Sequence, residues 1–280
     1  MTRIKGFFVL LTASPIAFIG FVMTALLVLV AAFAGVIAPY PEHVGPIGDF
    51  TAIMQGPSAA HWFGTDTVGR DIFSRVLFGL RTSLLMVLVV LSVAPIFGVS
   101  IGLIAGYFGG WVETVLMRLT DVFLSIPPLV LAMSVLGFLS PNLTNGIIAV
   151  TVMWWPWYTR LAYNLMRRER SQGYVAAAEM IGASWVHIVF REVLPNCLSP
   201  ILSKILLDTG FIIIIAASLS FVGLGSQPPA PDLGSMIAAG TDYLPANWWL
   251  TAFPSLALLY AAFSVNMLGD GIRELLEKNK

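Results

Sequence analysis

Few residues of this chain have the type and spacing to do chemistry. Its three histidines, His43, His61 and His187, are scattered, and no His-Glu-x-x-His pair of zinc ligands occurs. His43 and His61 share one loop, without a second metal-like cluster. The lone Cys197 excludes an internal disulfide framework and a thiolate metal cluster. No G-x-x-x-x-G-K-[ST] loop is present, so the chain has no P-loop to cradle ATP. If ATP drives it, another chain must hold the nucleotide. Ser218 and Ser220 have no evident histidine to act as their base. Two carboxylates in apolar sequence remain. Asp121 stands three residues after Arg118, which predicts an interfacial ion pair. Asp208 lies deeper, 13 residues past Pro195, roughly 20 Å along a helix. A carboxylate at that depth is a candidate ion or proton site. A self-sufficient ion-coupled secondary transporter using Asp208 is therefore the alternative reading. Lys204, four residues earlier, favours a structural pair or an inter-helix polar contact instead.

Composition decides what must position these residues. The 280 residues are 58% hydrophobic and 11% charged, against roughly 25% charged in a soluble domain. A polar shell cannot be built from 15 basic and 15 acidic side chains. A soluble enzyme and a disordered chain are both excluded, and the zero net charge gives no field for nucleic acid. The chain reads as an all-α polytopic membrane protein. A spanning helix needs ~20 mostly apolar residues. Six stretches supply them: about 14–38, 83–108, 119–139 (broken by Pro127-Pro128), 143–162, 198–224 and 248–268.

Basic residues orient the spans. Arg3, Lys5, Arg118, Arg160, Arg167, Arg168, Arg170, Arg191, Arg273, Lys278 and Lys280 fall on one side, against Arg70, Arg75 and Arg81 on the other. Lys204 can snorkel toward the larger group. Both termini are expected in the cytoplasm. In the second span Gly98, Gly102 and Gly106 recur every four residues and make a stripe for close helix packing. Trp154, Trp155, Trp157 and Tyr158 cluster near the inner end of the fourth span, as at a membrane interface, with Pro156 expected to bend it.

The segment between the fourth and fifth spans is the most informative. After Arg167-Arg168-Glu169-Arg170 comes Gly173 to Ser184, with Ala176-Ala177-Ala178 and then Gly182. Three alanines favour a short, smooth helix over 174–184, and Gly182 supplies its stop. Leu194-Pro195 is expected to close the loop at the start of the fifth span. Such a helix can lie in a groove of another protein and pass on a rigid-body push.

This spacing resembles the EAA loop of binding-protein-dependent ABC importer permeases. Ala177 and Ala178 match its two alanines, Gly182 its glycine, and Leu194-Pro195 its terminal pair. Ala176 stands where a glutamate is common in that family, and Glu192 where an isoleucine is. Gly64-Thr65-Asp66 with Gly69-Arg70-Asp71, Ser74-Arg75, Gly79 and Arg81-Thr82-Ser83-Leu84 resembles the outer-loop signature of the dipeptide/oligopeptide/nickel permeases. So do Leu219 to Gly225 running into Pro228 to Gly234, and the ending Asn266 to Arg273. Together the motifs cover most of the chain from Gly64 to Arg273, in the family's order, and resemble its "C"-type subunit.

The resemblance implies a type I ABC importer permease with no catalytic residues and no cofactor of its own. ATP and magnesium would sit on two cytosolic ATPase partners. It also implies a second, homologous permease and an extracytoplasmic substrate-binding protein in a bacterial inner membrane. Tyr174, Ala177, Ala178, Gly182, Ala183, Leu194 and Pro195 would couple to the ATPases. The organisation expected is an anchor helix and outer loop over 1–82, a five-span core over 83–273 with the coupling loop at 163–197, and a cytoplasmic tail over 274–280.

The outer motif also has a direct physical reading. Val68, Ile72, Phe73, Val76, Leu77 and Leu80 fall at helical spacing and predict an amphipathic helix on the outer membrane surface. Asp71 and Arg75 are expected to form an i,i+4 pair along it.

Overall fold

The computed structural model describes residues 15–278. Arg3, Lys5, Lys280 and the expected first span residue, Ser14, lie outside them. The described chain is helical, and its isolated β-bridge joins Thr65 to Asp71. Helices α1 (Pro15–Ala32) and α2 (Ala34–Ile37) lead into an outer loop with 3-10 turns at Pro41–Val44 and Phe50–Ala52. Then follow α3 (Ile72–Phe108), α4 (Gly110–Ser125), α5 (Pro128–Phe138) and α6 (Leu143–Arg170). After α7 (Gly173–Met180) and the single turn α8 (Trp185–His187), a π-helical turn at Ile188–Val193 runs into α9 (Leu194–Phe221). The chain ends with α10 (Leu233–Thr241) and α11 (Trp249–Lys278).

Four of these runs are long and apolar enough to cross a membrane: Pro15–Ala32, Ile72–Phe108, Trp185–Phe221 and Trp249–Glu274. The pair α4 and α5 passes the same test together and bends by 94° at the break before Pro128. Pro127-Pro128 is where the sequence placed that break. Proline offers no N–H, and the residue before it avoids the α region. The remaining expected span is α6, whose 28 residues are long enough but whose run from Trp154 to Arg160 lowers its apolarity.

Two expected boundaries move. The amphipathic stretch after Val68 is no separate surface helix, because α3 starts at Ile72 and runs unbroken for 37 residues. At 1.5 Å per residue it is about 55 Å long, well beyond the ~30 Å hydrocarbon layer. Its apolar face is buried in protein instead, with Ile72, Val76, Leu77 and Leu80 all in the core. Leu194-Pro195 does open α9, but no loop precedes it. Helix runs from Trp185 through both residues, and the Leu194 N–H reaches back to the Val189 carbonyl. The widened π-turn sits just before Pro195, where a proline ring conflicts with ordinary i−4 hydrogen bonding.

The contacts divide into two compact units. Among the described residues, one comprises 15–88, Val135–Ile147 and 206–278. Within it α1 lies along α11. A Cβ on Gly20 would stand 2.4 Å from the Leu268 nitrogen, and one on Gly271 would stand 2.3 Å from the Ala17 Cα. Thr24 Oγ1 donates to the Ser264 carbonyl at 2.9 Å, and the Tyr260 hydroxyl donates to the Met23 carbonyl at 3.0 Å. The second unit, Val89–Ser134 with Ile148–Ile205, holds the glycine stripe and the segment around α7.

Candidate functional site

The α7 segment is built by local backbone chemistry. Its helix ends sooner than the 174–184 reading, at Met180, because the chain turns left-handed at Gly182 (φ +76°). The Gly182 N–H donates to the Glu179 carbonyl at 3.0 Å, and the Ala183 N–H donates to the Ala178 carbonyl at 3.0 Å. These two bonds form a Schellman cap and satisfy carbonyls that a helix end otherwise leaves open. A Cβ at Gly182 would meet nothing within 4 Å, so conformation, not space, favours glycine there. Ser184 then caps α8 by accepting the His187 N–H at 3.3 Å.

Apart from the exposed Glu179, what α7 presents is apolar. Val175 is buried and roots the helix, while Ala177 is exposed and Ala178 and Ala183 are half-buried. At the tip, Met180 and Ile181 are 87% and 85% exposed. Together they form a small exposed apolar tip at the end of the helix. At the base, the Tyr174 hydroxyl donates to Glu169 Oε2 at 3.0 Å. Burial pushes this phenol above its ordinary pKa, while a hydrogen bond with Asn196 pulls the other way.

Both ends of the segment are held by neighbours in sequence. Arg170 Nη1 donates to the Tyr107 carbonyl, and its guanidinium lies 5.3 Å over the Tyr107 ring. The Trp185 ring packs on Phe108 at 5.3 Å between centroids. Below this clamp, Glu113 accepts the Tyr163 hydroxyl and faces Arg167 Nη1 at 3.8 Å. Asp121 pairs with Arg160 of α6, not with Arg118 as the spacing along α4 suggested. Arg118 is exposed.

Gly98, Gly102 and Gly106 face α6. Cβ atoms built on them would stand 2.4 Å from the Trp155 carbonyl oxygen, 2.3 Å from the Thr159 carbonyl oxygen and 2.7 Å from Met166 Cβ. This contact also corrects the reading of the aromatic cluster. Trp154, Trp155 and Tyr158 are buried packing residues, and only Trp157 is exposed. The flat stripe leaves room for Tyr158, and Trp155 meets Phe97 and Phe123 edge-on at 5.6 and 5.3 Å. Helix α6 continues through Pro156. Asp208 is 2% exposed within α9 and is engaged by neighbouring groups.

The outer loop also holds a buried polar cluster. Asp71 Oδ1 stands 2.9 Å from His61 Nδ1, and Asp71 Oδ2 accepts the Ser74 N–H and hydroxyl at 2.8 and 2.7 Å. The Asp71 N–H donates to His43 Nδ1 at 2.9 Å. Tyr40 stacks on His43 at 5.1 Å and lies against His61 at 4.8 Å. Asp71 therefore serves these partners rather than the Arg75 side chain. Arg75 Nη1 donates to the carbonyls of His43 and Pro229 at 3.0 and 3.2 Å, and its Nε lies 3.7 Å from Asp66. The Ser74 hydroxyl points at a carboxylate, not at an imidazole, so the cluster is a staple rather than a nucleophile and base. Among the described residues no group of three His, Cys, Asp or Glu side chains could hold a metal. Asp71 with Ser74 was legible as a motif, but nothing local in the sequence brings His43 and His61 to it.

Residues 98–280 match the family described as binding-protein-dependent transport system inner membrane component. A probable D,D-dipeptide transport system permease protein of Escherichia coli (strain K12) is 41% identical over 96% of this chain and 89% of its own length. A di/tripeptide transport system permease protein of Pseudomonas aeruginosa is 37% identical, over 92% and 86%. A dipeptide transport system permease protein of Haemophilus influenzae is 34% identical, over 92% and 90%. A chain from an inward-facing structure of the MetNI methionine ABC transporter matches the fold with TM-score 0.60 and 20% identity, over 72% of this chain and 96% of that one.

Proposed function

The chain belongs to the binding-protein-dependent transport system inner membrane components, and on that premise we propose how it works as a permease subunit of an ATP-driven peptide importer. The observation that carries the coupling reading is the apolar tip of α7, Met180 and Ile181, held out into water by the Gly182 cap. A groove on a cytosolic ATPase would bury it. With Arg170 and Trp185 fixed on Tyr107 and Phe108, a push on α7 reaches the C-terminal end of α3 directly. ATP closure then moves a membrane helix without refolding the coupling segment.

The assembly in this reading has two such permeases, two ATPases and an extracytoplasmic binding protein, in an inner membrane with both termini cytoplasmic. The pathway lies between the permeases, which expose it alternately to either side. ATP and magnesium stay on the ATPases, and this chain makes or breaks no substrate bond. The relatives' names favour short peptides as the solute. The alternative of a self-sufficient carrier built on Asp208 has no support in these relatives.

The test is affinity capture of the chain from detergent-solubilised native membranes, with the captured subunits identified by mass spectrometry. Two ATPase chains and a second permease are expected, and Ala178→Asp should lose the ATPases. If the wild-type chain is captured alone and still moves peptide in liposomes, the coupled reading fails.

A further inference from the structure

A recess of about 90 Å³ opens beside the first turns of α3, between the outer loop and α10. Its charged lining is Arg70, Arg75 and Asp66, and Ile72, Met236, Ala239 and Leu250 form its apolar wall. Asp66 is already engaged within the protein. Its Oδ1 accepts the N–H groups of Val68 and Arg70 at 3.0 and 2.9 Å, and its Oδ2 meets Arg70 Nε at 2.7 Å and Arg75 Nε at 3.7 Å. Two guanidiniums against one carboxylate leave the recess one positive charge in excess.

The unused hydrogen-bond capacity points the same way. Arg75 is only 4% exposed, and Nη1 and Nε take its protein partners. Its Nη2, and both Nη atoms of Arg70, have no acceptor among the described residues. None of these three nitrogens is among the buried atoms without a partner, so each remains accessible to a ligand that enters the recess. We propose that the recess is a binding site for a carboxylate on a short aliphatic stem, with Arg70 and Arg75 gripping the carboxylate and Met236 and Leu250 covering the stem. The volume is enough for several water molecules, and so for a carboxylate and the carbons next to it. The same chemistry is offered by a peptide's C-terminus and by an acidic side chain of an extracytoplasmic protein.

The probe is propionate, followed by saturation-transfer NMR on the full chain purified with its native partner subunits in lipid nanodiscs. Propionate should bind saturably and propionamide should not. Arg70→Gln should weaken binding about tenfold or more, as expected for a lost charge-assisted contact. Ala239→Met, which fills the recess and leaves every charge in place, should abolish it. Displacement by a free-carboxylate peptide but not by its C-terminal amide assigns the site to solute. Displacement by the purified binding protein assigns it to an acidic side chain of that partner. Absence of saturable propionate binding, equal binding of propionamide, or binding unchanged in both variants overturns the proposal. Because the readout is binding and not transport, it stands or falls apart from the coupling reading.

Discussion

The ring of Trp185 lies 5.3 Å from the ring of Phe108, centroid to centroid. One residue earlier, Tyr107 holds Arg170 through its carbonyl and its ring face. The two ends of the segment carrying α7 are thus fixed on consecutive residues at the end of α3. A displacement of α7 cannot be absorbed by slack at its own ends.

Phe108→Ala removes one of these fixings without touching the α7 tip. The expected outcome is an assembled complex that still hydrolyses ATP but imports solute poorly. Coupling energies of about 1–3 kcal/mol correspond to roughly 5- to 150-fold, so transport per ATP should fall within that range. Paired ATPase and uptake assays in proteoliposomes check it. Equal loss of both activities would show that Phe108 serves assembly instead.

Met180→Glu and Ile181→Glu separate folding from docking. Both side chains are almost wholly in water, so stability should change by no more than ~0.5 kcal/mol. Capture of the ATPases should nevertheless be lost, because a carboxylate would have to be buried in an apolar groove. Gly182→Val acts differently. It forces a β-branched residue to φ +76° at a cost of about 1–2 kcal/mol, and should loosen the cap itself. Thermal unfolding measured beside ATPase capture distinguishes the two classes.

At Gly102 the neighbouring backbone leaves no room for a side chain. Gly102→Val would drive α3 away from the Thr159 carbonyl and should destabilise by about 1–3 kcal/mol, the usual cost of overpacking. Gly137→Ala is the control, since a Cβ there meets nothing within 4 Å and alanine favours helix by up to ~1 kcal/mol. Melting temperatures in nanodiscs should move in opposite directions. If Gly102→Val melts like the wild type, the close approach of α3 and α6 is not a packing constraint.

These cases show what a sequence makes legible. The spans, the break at Pro127-Pro128 and the stop at Gly182 rest on local rules of apolar run length, proline geometry and left-handed glycine, and each could be read in one pass. Contacts between distant segments could not. Trp155 and Tyr158 look interfacial along α6, and only the glycine stripe opposite shows that they are buried. Asp121 has Arg118 three residues away, yet Arg160 on another helix is its partner. His43 and His61 look idle until the outer loop folds back on Asp71. In each case a nearby residue of suitable type competed with a distant one that the fold brought closer.

Asp232 gives the clearest pH dependence. Its carboxylate caps α10 by accepting the Ser235 N–H at 3.1 Å. Burial raises its pKa above the ordinary aspartate value, and bonds from Ser235, Ser220 and Gly234 only partly oppose this. The folded protein therefore holds this proton more tightly than the unfolded chain does. By linkage, the contribution of Asp232 to stability is greatest below the ordinary aspartate pKa, about 3.9. It declines as pH rises through the window up to the raised folded value, and is a constant penalty above it. Asp232→Asn keeps an acceptor for the cap and removes the charge that burial opposes, so at neutral pH it should be as stable as the wild type or more so. Asp232→Ala loses the cap and should cost about 1 kcal/mol. Thermal unfolding of the three proteins from about pH 4 to 7, a range chosen to start near the ordinary aspartate value, checks both. If the asparagine variant loses as much as the alanine variant at neutral pH, the charge itself holds α10 in place and the linkage argument is wrong.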